Sequence, residues 1–195
     1  MKVAPAMPAG AEQGILKGMY RLQEAKAKKG QARAQLMGSG TILREVIAAA
    51  EMLATEWNVA ADVWSVTSFT ELRRDGMDVE RWNRLHPAQE PRKSWVETCL
   101  ADTAGPVVAA TDYMRAVPDM ARTWVPRKYV TLGTDGYGRS DSRANLRRFF
   151  EVDRQNVVVA TLTALADEGT IKREVVAQAI EKYGLATDRA NPWDA

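Results

Sequence analysis

Four short apolar runs, Ala32 to Met37, Asp62 to Thr67, Val107 to Ala110 and Tyr129 to Leu132, are each followed by a segment of wholly or partly helical pattern. After the first run, Thr41 to Trp57 carries Leu43, Val46, Ile47, Ala50, Leu53, Ala54 and Trp57 at spacings of three and four, the stripe of an amphipathic helix. Strands that alternate with helices build an α/β sheet, parallel wherever a helix supplies the crossover. A fifth run, Met19 to Gln23, alternates apolar and polar residues and precedes Ala32 by too few residues for a parallel crossover. The first strand is therefore expected to run antiparallel to the rest. The fold class that follows is α/β, a three-layer αβα arrangement around a five-stranded mixed sheet.

The remaining pattern fills in the connections. Residues 11–17 read as a short helix, Thr70 to Leu85 as a polar segment helical in parts, and Ser94 to Leu100 and Asp119 to Trp124 as short helices. Helices are expected at Ser142 to Phe150, Arg154 to Glu168 and Lys172 to Tyr183, the last two punctuated by Gly169 and Gly184. Lys26-Ala27-Lys28-Lys29-Gly30 reads as a solvated hairpin tip, because its charges have no aromatic neighbours. Residues 1–10, with two prolines, read as a linker or N-terminal arm, and 11–195 as a single domain.

Composition narrows the function classes. Hydrophobic residues make up 46% and charged residues 27% of the 195 residues, an ordinary globular balance. A net charge of +2 gives no support to a nucleic-acid or membrane surface. The chain has one histidine, His86, and one cysteine, Cys99, so a Cys/His zinc site cannot be assembled within it. A Ser-His-Asp or Cys-His site would have only His86 to use. His86, in Arg81-Trp82-Asn83-Arg84-Leu85-His86-Pro87, reads as a capping or interface side chain, and Cys99 as a small buried one. No catalytic, cofactor-binding or metal-binding residue is assigned.

Two glycine-bearing segments stand out. Gly38-Ser39-Gly40, between a strand and a helix, has the placement of a dinucleotide fingerprint, whose pyrophosphate rests on the helix N-terminus. Leu43 occupies the third glycine position, and Ser65-Val66-Thr67 ends the next strand without the acidic residue that holds a ribose. The second segment, Gly133-Thr134-Asp135-Gly136-Tyr137-Gly138-Arg139-Ser140-Asp141-Ser142-Arg143, follows the last strand. Such a loop can cradle an anion with Arg139 or Arg143, or dock onto another domain, with Asp135, Asp141 and Arg139 pairing charges across the contact. Docking is the favoured reading, since no nucleophile or base accompanies the loop. Because parallel strands end on one edge, Ser68-Phe69-Thr70, Asp112-Tyr113 and Gly133 to Arg139 are expected to be neighbours there.

Several blocks carry a family resemblance. They are Ser65-Val66-Thr67-Ser68-Phe69-Thr70-Glu71-Leu72-Arg73-Arg74-Asp75-Gly76, Glu80-Arg81-Trp82-Asn83-Arg84-Leu85-His86-Pro87, Ala110-Thr111-Asp112-Tyr113-Met114 and Leu132 to Arg143. Phe150-Glu151-Val152-Asp153 and Asn191-Pro192 extend them. Together they resemble the C-terminal, transketolase-C-like domain of the homodimeric bacterial type of pyruvate dehydrogenase E1. The resemblance implies a cytoplasmic enzyme that uses thiamine diphosphate and magnesium to decarboxylate pyruvate and reductively acetylate the lipoyl group of the E2 component. It also implies that the cofactor, the metal and the catalytic groups lie in N-terminal domains outside this chain. A structural and interface role without activity of its own is then expected. The partners would be those N-terminal domains, the second E1 subunit and E2. The interface candidates are Phe69, Glu71, His86, Tyr113, Asp135, Tyr137, Arg139, Asp141 and Arg143. A nucleotide- or anion-binding module built on Gly38-Ser39-Gly40 or on loop 133–143 is the alternative.

Overall fold

The computed structural model describes residues 7–194, so most of the expected N-terminal arm lies outside the described residues. Five strands, β1 (Met19–Gln23), β2 (Ala32–Gly38), β3 (Val59–Val66), β4 (Val107–Ala110) and β5 (Tyr129–Leu132), form one sheet in the order β1-β3-β2-β4-β5. β2, β3, β4 and β5 run parallel, in registers such as Leu36↔Val63 and Leu36↔Val108. β1 runs antiparallel to β3, pairing Met19 with Val66. The mixed sheet and its antiparallel first strand are as expected.

The hairpin between β1 and β2 is not. β3 lies between them, so Lys26 to Gly30 belongs to a connection that steps over one strand rather than to a hairpin tip. Two strand spacings are about 10 Å, well within reach of residues 24–31. Asp62, the one buried carboxylate of β3, fastens the step. Its Oδ1 accepts from the Ala25 N–H at 2.7 Å, and its Oδ2 accepts from Arg33 Nη2 and Gln35 Nε2, both at 3.1 Å. Gln35 in turn accepts from the Trp64 indole at 2.8 Å and donates to the Ala104 carbonyl at 3.1 Å. Both oxygens of Asp62 and both polar ends of Gln35 are partnered, while Arg33 Nε is buried without a partner; a buried network satisfied to this degree favours the observed strand neighbours.

Side chains alternate across the sheet, so neighbours such as Leu36 and Met37 enter different cores. On one face α2 (Leu43–Glu56) and α7 (Arg154–Asp167) cover Leu36, Val63 and Val108, and α8 (Arg173–Lys182) packs against α7. On the other, α3 (Phe69–Leu85) and α4 (Trp95–Leu100) cover Met37, Trp64 and Val107. The rest are α1 (Glu12–Leu16), α5 (Ala116–Asp119) and α6 (Arg143–Phe149).

Several boundaries differ from expectation. β3 begins at Val59 rather than Asp62, because Asn58 takes a left-handed turn (φ 53°) that leads α2 into the strand with almost no loop. Thr70 to Leu85 is part of one continuous helix, capped by the Ser68 hydroxyl, which accepts from the Glu71 N–H. Its central Gly76 lets Trp124 pack directly on the helix backbone; a Cβ there would lie 2.3 Å from the indole. The helix expected at Asp119 to Trp124 is split into α5 and a 3-10 turn, Arg122–Trp124.

Candidate functional site

The four parallel strands deliver their C-terminal ends to one edge, and the loops there are tied to one another. After β2, the Ser39 hydroxyl donates to Thr111 Oγ1 at 2.7 Å, and Thr41 Oγ1 donates to Asp112 Oδ2 at 3.1 Å, joining the β2 loop to the β4 loop. After β5, the Thr134 N–H donates to the Tyr113 carbonyl at 2.9 Å and its hydroxyl to the Asp112 carbonyl at 2.8 Å. The Asp135 carboxylate accepts from the Arg115 N–H. Ser68, Phe69 and Tyr113 line one common hollow with Ser39, so the β3 loop is a neighbour as well. The loops expected to meet on one edge do meet.

Chain connections leave β2 and β4 in opposite directions, and the crevice at such a point is where open α/β sheets bind ligands. A cavity of about 330 Å³ lies there, its floor made by Ile42, Leu146, Phe150 and Val152 and its rim by Asp112, Arg139 and Arg143. The dinucleotide reading of Gly38-Ser39-Gly40 fails on its geometry. The space over Gly40, where a pyrophosphate would approach the helix start, holds the Asp112 carboxylate; a Cβ on Gly40 would lie 2.9 Å from Asp112 Oδ1. A negative charge already seated at that N-terminus repels a second.

The candidate residues fall into three groups. Tyr113 and Tyr137 project from the edge, 60% and 83% exposed. Arg139 and Arg143 are exposed beside them. Arg139 lies over the Phe149 ring, 4.1 Å from its centroid, and not against Asp141. Asp135 and Asp141 serve the chain itself. Asp141 accepts from the Ser142 N–H and from Asn145 Nδ2 at 2.8 Å, supporting the start of α6. Within the chain, Asp135 thus fastens the β5 loop to the β4 loop, and Asp141 braces the start of α6.

Phe69, expected at the surface, is a correction: it is 4% exposed and belongs to the core under α3. Glu71 is bound by Arg74, Nε to Oε2 at 2.9 Å, and that hydrogen bond holds its carboxyl below the usual range. His86 sits at the far end of α3, about 25 Å along the helix from the loops. It stacks on Trp82 at 4.5 Å, and its Nδ1 is 2.8 Å from the Trp82 carbonyl, so it closes the helix and is no part of this edge. Cys99 is half-buried, and burial pushes its thiol up to about 11, away from the thiolate form a nucleophile needs. Thr41, Asp112 and Phe149 were not singled out from the sequence as site residues; only Asp112 lay within a block whose pattern was informative.

Residues 18–153 match the family model described as the transketolase-like TK C-terminal domain. The chain belongs to that family. This transketolase-like domain is 60% identical over 193 residues to the pyruvate dehydrogenase E1 component of Pseudomonas aeruginosa, covering 98% of the chain and 22% of that protein. It is 54% identical over 189 residues to the pyruvate dehydrogenase E1 component of Escherichia coli K12, covering 96% of the chain and 21% of that protein. The domain thus spans about a fifth of the length of the curated relatives it matches. Among solved structures, a transketolase from Pichia stipitis superposes with a TM-score of 0.55 at 16% identity, over 85% of this chain and 20% of that one. That likeness is one of fold.

Arg139→Ala checks how the loop is used. An exposed cation over a ring contributes about 0.5–1 kcal/mol. The variant is expected to melt within about 3 °C of the parent by calorimetry. A loss of the folded baseline would show that the arginine is an internal structural group.

Proposed function

We propose that this transketolase-like domain is the C-terminal docking domain of a pyruvate dehydrogenase E1 component. One observation carries the reading. The loops at the strand ends are tied to one another by internal hydrogen bonds at Ser39, Thr111, Asp112 and Thr134, and Tyr113, Met114 and Tyr137 stand out beside these ties into solvent. A rigid edge that exposes aromatic and thioether side chains matches the composition of the fully desolvated centre of a protein interface. The remainder of the E1 polypeptide and the second E1 subunit are the partners, and E2 meets the assembled enzyme. The site of action is the bacterial cytoplasm; no helix among the described residues is long and apolar enough to cross a membrane.

In the intact enzyme thiamine diphosphate and magnesium supply the carbanion chemistry for decarboxylation of pyruvate and transfer to the lipoyl group. The residues of this chain do not fit that cofactor. The best candidate cradle for a diphosphate, at Gly40, is filled by Asp112. Among the described residues no three His, Cys, Asp or Glu side chains gather as a metal set. No step of the reaction is therefore placed on this chain, whose part is to hold the assembly together.

The test uses the full-length enzyme carrying Tyr113→Ala and Tyr137→Ala together. Two truncated interface aromatics are expected to weaken assembly by at least about tenfold in sedimentation, with activity falling on dilution. The same pair in the isolated chain is expected to leave its melting temperature nearly unchanged. The isolated parent chain is expected to melt cooperatively and to give no pyruvate decarboxylation with added thiamine diphosphate and magnesium. Unaltered assembly of the double variant, or turnover by the isolated chain, overturns the reading.

A further inference from the structure

The C-terminal tail, residues 186–194, returns to the docking edge and lies against the glycine-rich loop. Gly136 (φ +108°) meets it backbone to backbone: a Cβ at that position would lie 2.6 Å from the Pro192 carbonyl and 3.0 Å from Trp193 Cα. Only glycine accommodates that left-handed conformation together with so close an approach. Arg189 anchors the tail. Its Nη2 donates to the Phe149 carbonyl at 2.6 Å and to Glu151 Oε1 at 2.8 Å, just past the end of α6. Its guanidinium also lies 5.6 Å from the centroid of the Phe149 ring, the same ring that Arg139 of the loop covers at 4.1 Å. Phe149 is thus held by one arginine from the loop and one from the tail. Beyond Arg189, the Asp194 N–H donates to the Asn191 carbonyl and Asn191 Nδ2 to Asp194 Oδ2, closing the tail in a turn that leaves Trp193 47% exposed.

We propose that the tail is a clamp that fixes the glycine-rich loop in its docking shape, with Arg189 as its positioning residue, and that Trp193 adds its ring to the docking surface beside Tyr137. Among the described residues, the hydrogen bonds of loop 133–139 lie at its start, through Thr134 and Asp135. Gly136 to Arg139 are exposed, and the tail backbone against Gly136 and the shared ring of Phe149 are what restrain them. The partner is the one already proposed, the remainder of the E1 polypeptide. The consequence for assembly rests on the docking reading, whereas the clamp itself does not.

The experiment separates the two. Arg189→Ala, and a chain ending at Leu185, are digested with trypsin and the early cut after Arg139 is followed by mass spectrometry. Local opening governs such a cut, and loss of the clamp is expected to speed it about tenfold while the melting temperature barely moves. Gly136→Ala, which forces the tail backbone off the loop, is expected to do the same should the shortened chain fold poorly. Arg189→Lys keeps the charge and loses the fork, and is expected to fall between. Equal cutting rates in the parent, Arg189→Ala and Gly136→Ala overturn the clamp. Arg189→Ala and Trp193→Ala are then placed in the full-length enzyme. Faster cutting in the isolated chain with weakened assembly supports the whole proposal. Faster cutting with normal assembly leaves the clamp standing and overturns its role in docking.

Discussion

Gly105→Ala is expected to destabilise the domain by about 4 kcal/mol or more and to lower its melting temperature by about 10 °C. Gly105 precedes β4 with φ +79°, where an L side chain costs about 1 kcal/mol on its own. The larger cost is spatial. A Cβ would lie 1.7 Å from the Arg33 carbonyl of β2, and backbone cannot rotate away as a side chain can. The chain must move at the point where the Pro106 carbonyl accepts from the Gln35 N–H and the Val107 N–H donates to the Lys128 carbonyl. These bonds start the pairing of β4 with both neighbours, so the middle of the sheet is affected. Urea unfolding measures the loss directly, and a change under about 1 kcal/mol would mean that β4 can shift without penalty.

Glu45→Ala is the second large effect, expected at about 3 kcal/mol. Glu45 is a buried carboxylate on α2, clamped by Arg147 at 2.8 Å and by Arg154 Nε at 2.9 Å. Its removal leaves two guanidinium groups without their shared carboxylate, with only Asp153 acting on Arg154, and opens a gap between α2, α6 and α7. Burial by itself raises the carboxyl's pKa, but the hydrogen bond and charge of Arg154 and the charge of Arg147 outweigh it, and the folded value lies below the ordinary 4.5. A lowered folded value contributes stability above the unfolded pKa and loses it as pH falls through the folded one. Acid unfolding of the parent is therefore expected to draw on this group below about pH 4.5, and Glu45→Gln to flatten the pH dependence there. Parallel pH curves for parent and variant would show that the triad contributes no linkage.

Much of this architecture is legible in the residues because strands buried on both faces must be apolar, and Leu36, Val63, Val108 and their neighbours are. The direction of β1 follows from a connection too short to cross the sheet. Its neighbour does not, since the same length serves a hairpin or a step over one strand, and what decides is where Asp62 finds its partners. Those partners, Ala25, Arg33 and Gln35, are polar groups whose convergence exists only in three dimensions. At the edge where the parallel strands end, the glycines mark the loop, but the intrachain partners of its carboxylates are not legible. Asp141 takes the neighbouring Ser142 N–H, whereas Asp135 reaches back to the Arg115 N–H of the β4 loop, a tie that no spacing announces. Phe69 misleads for another reason: flanked by Ser68 and Thr70 it reads as surface, yet as the first residue of α3 it turns under the helix. The tail's return to Gly136 leaves no trace in spacing, since nothing periodic links residues so far apart.

The placement of β1 next to β3 bears on how the domain is made. As the ribosome adds about 5–20 residues per second, Val66 follows Gln23 by roughly 2–9 s. During that interval β1 has no partner strand, because β2, though already synthesised, is not its neighbour. Nascent β1 therefore waits with its backbone unpaired and Met19 uncovered, and docks only after the β2–α2–β3 unit has closed. It is the strand whose late arrival, sealed by the Asp62 carboxylate on Ala25, marks completion of the sheet's first half.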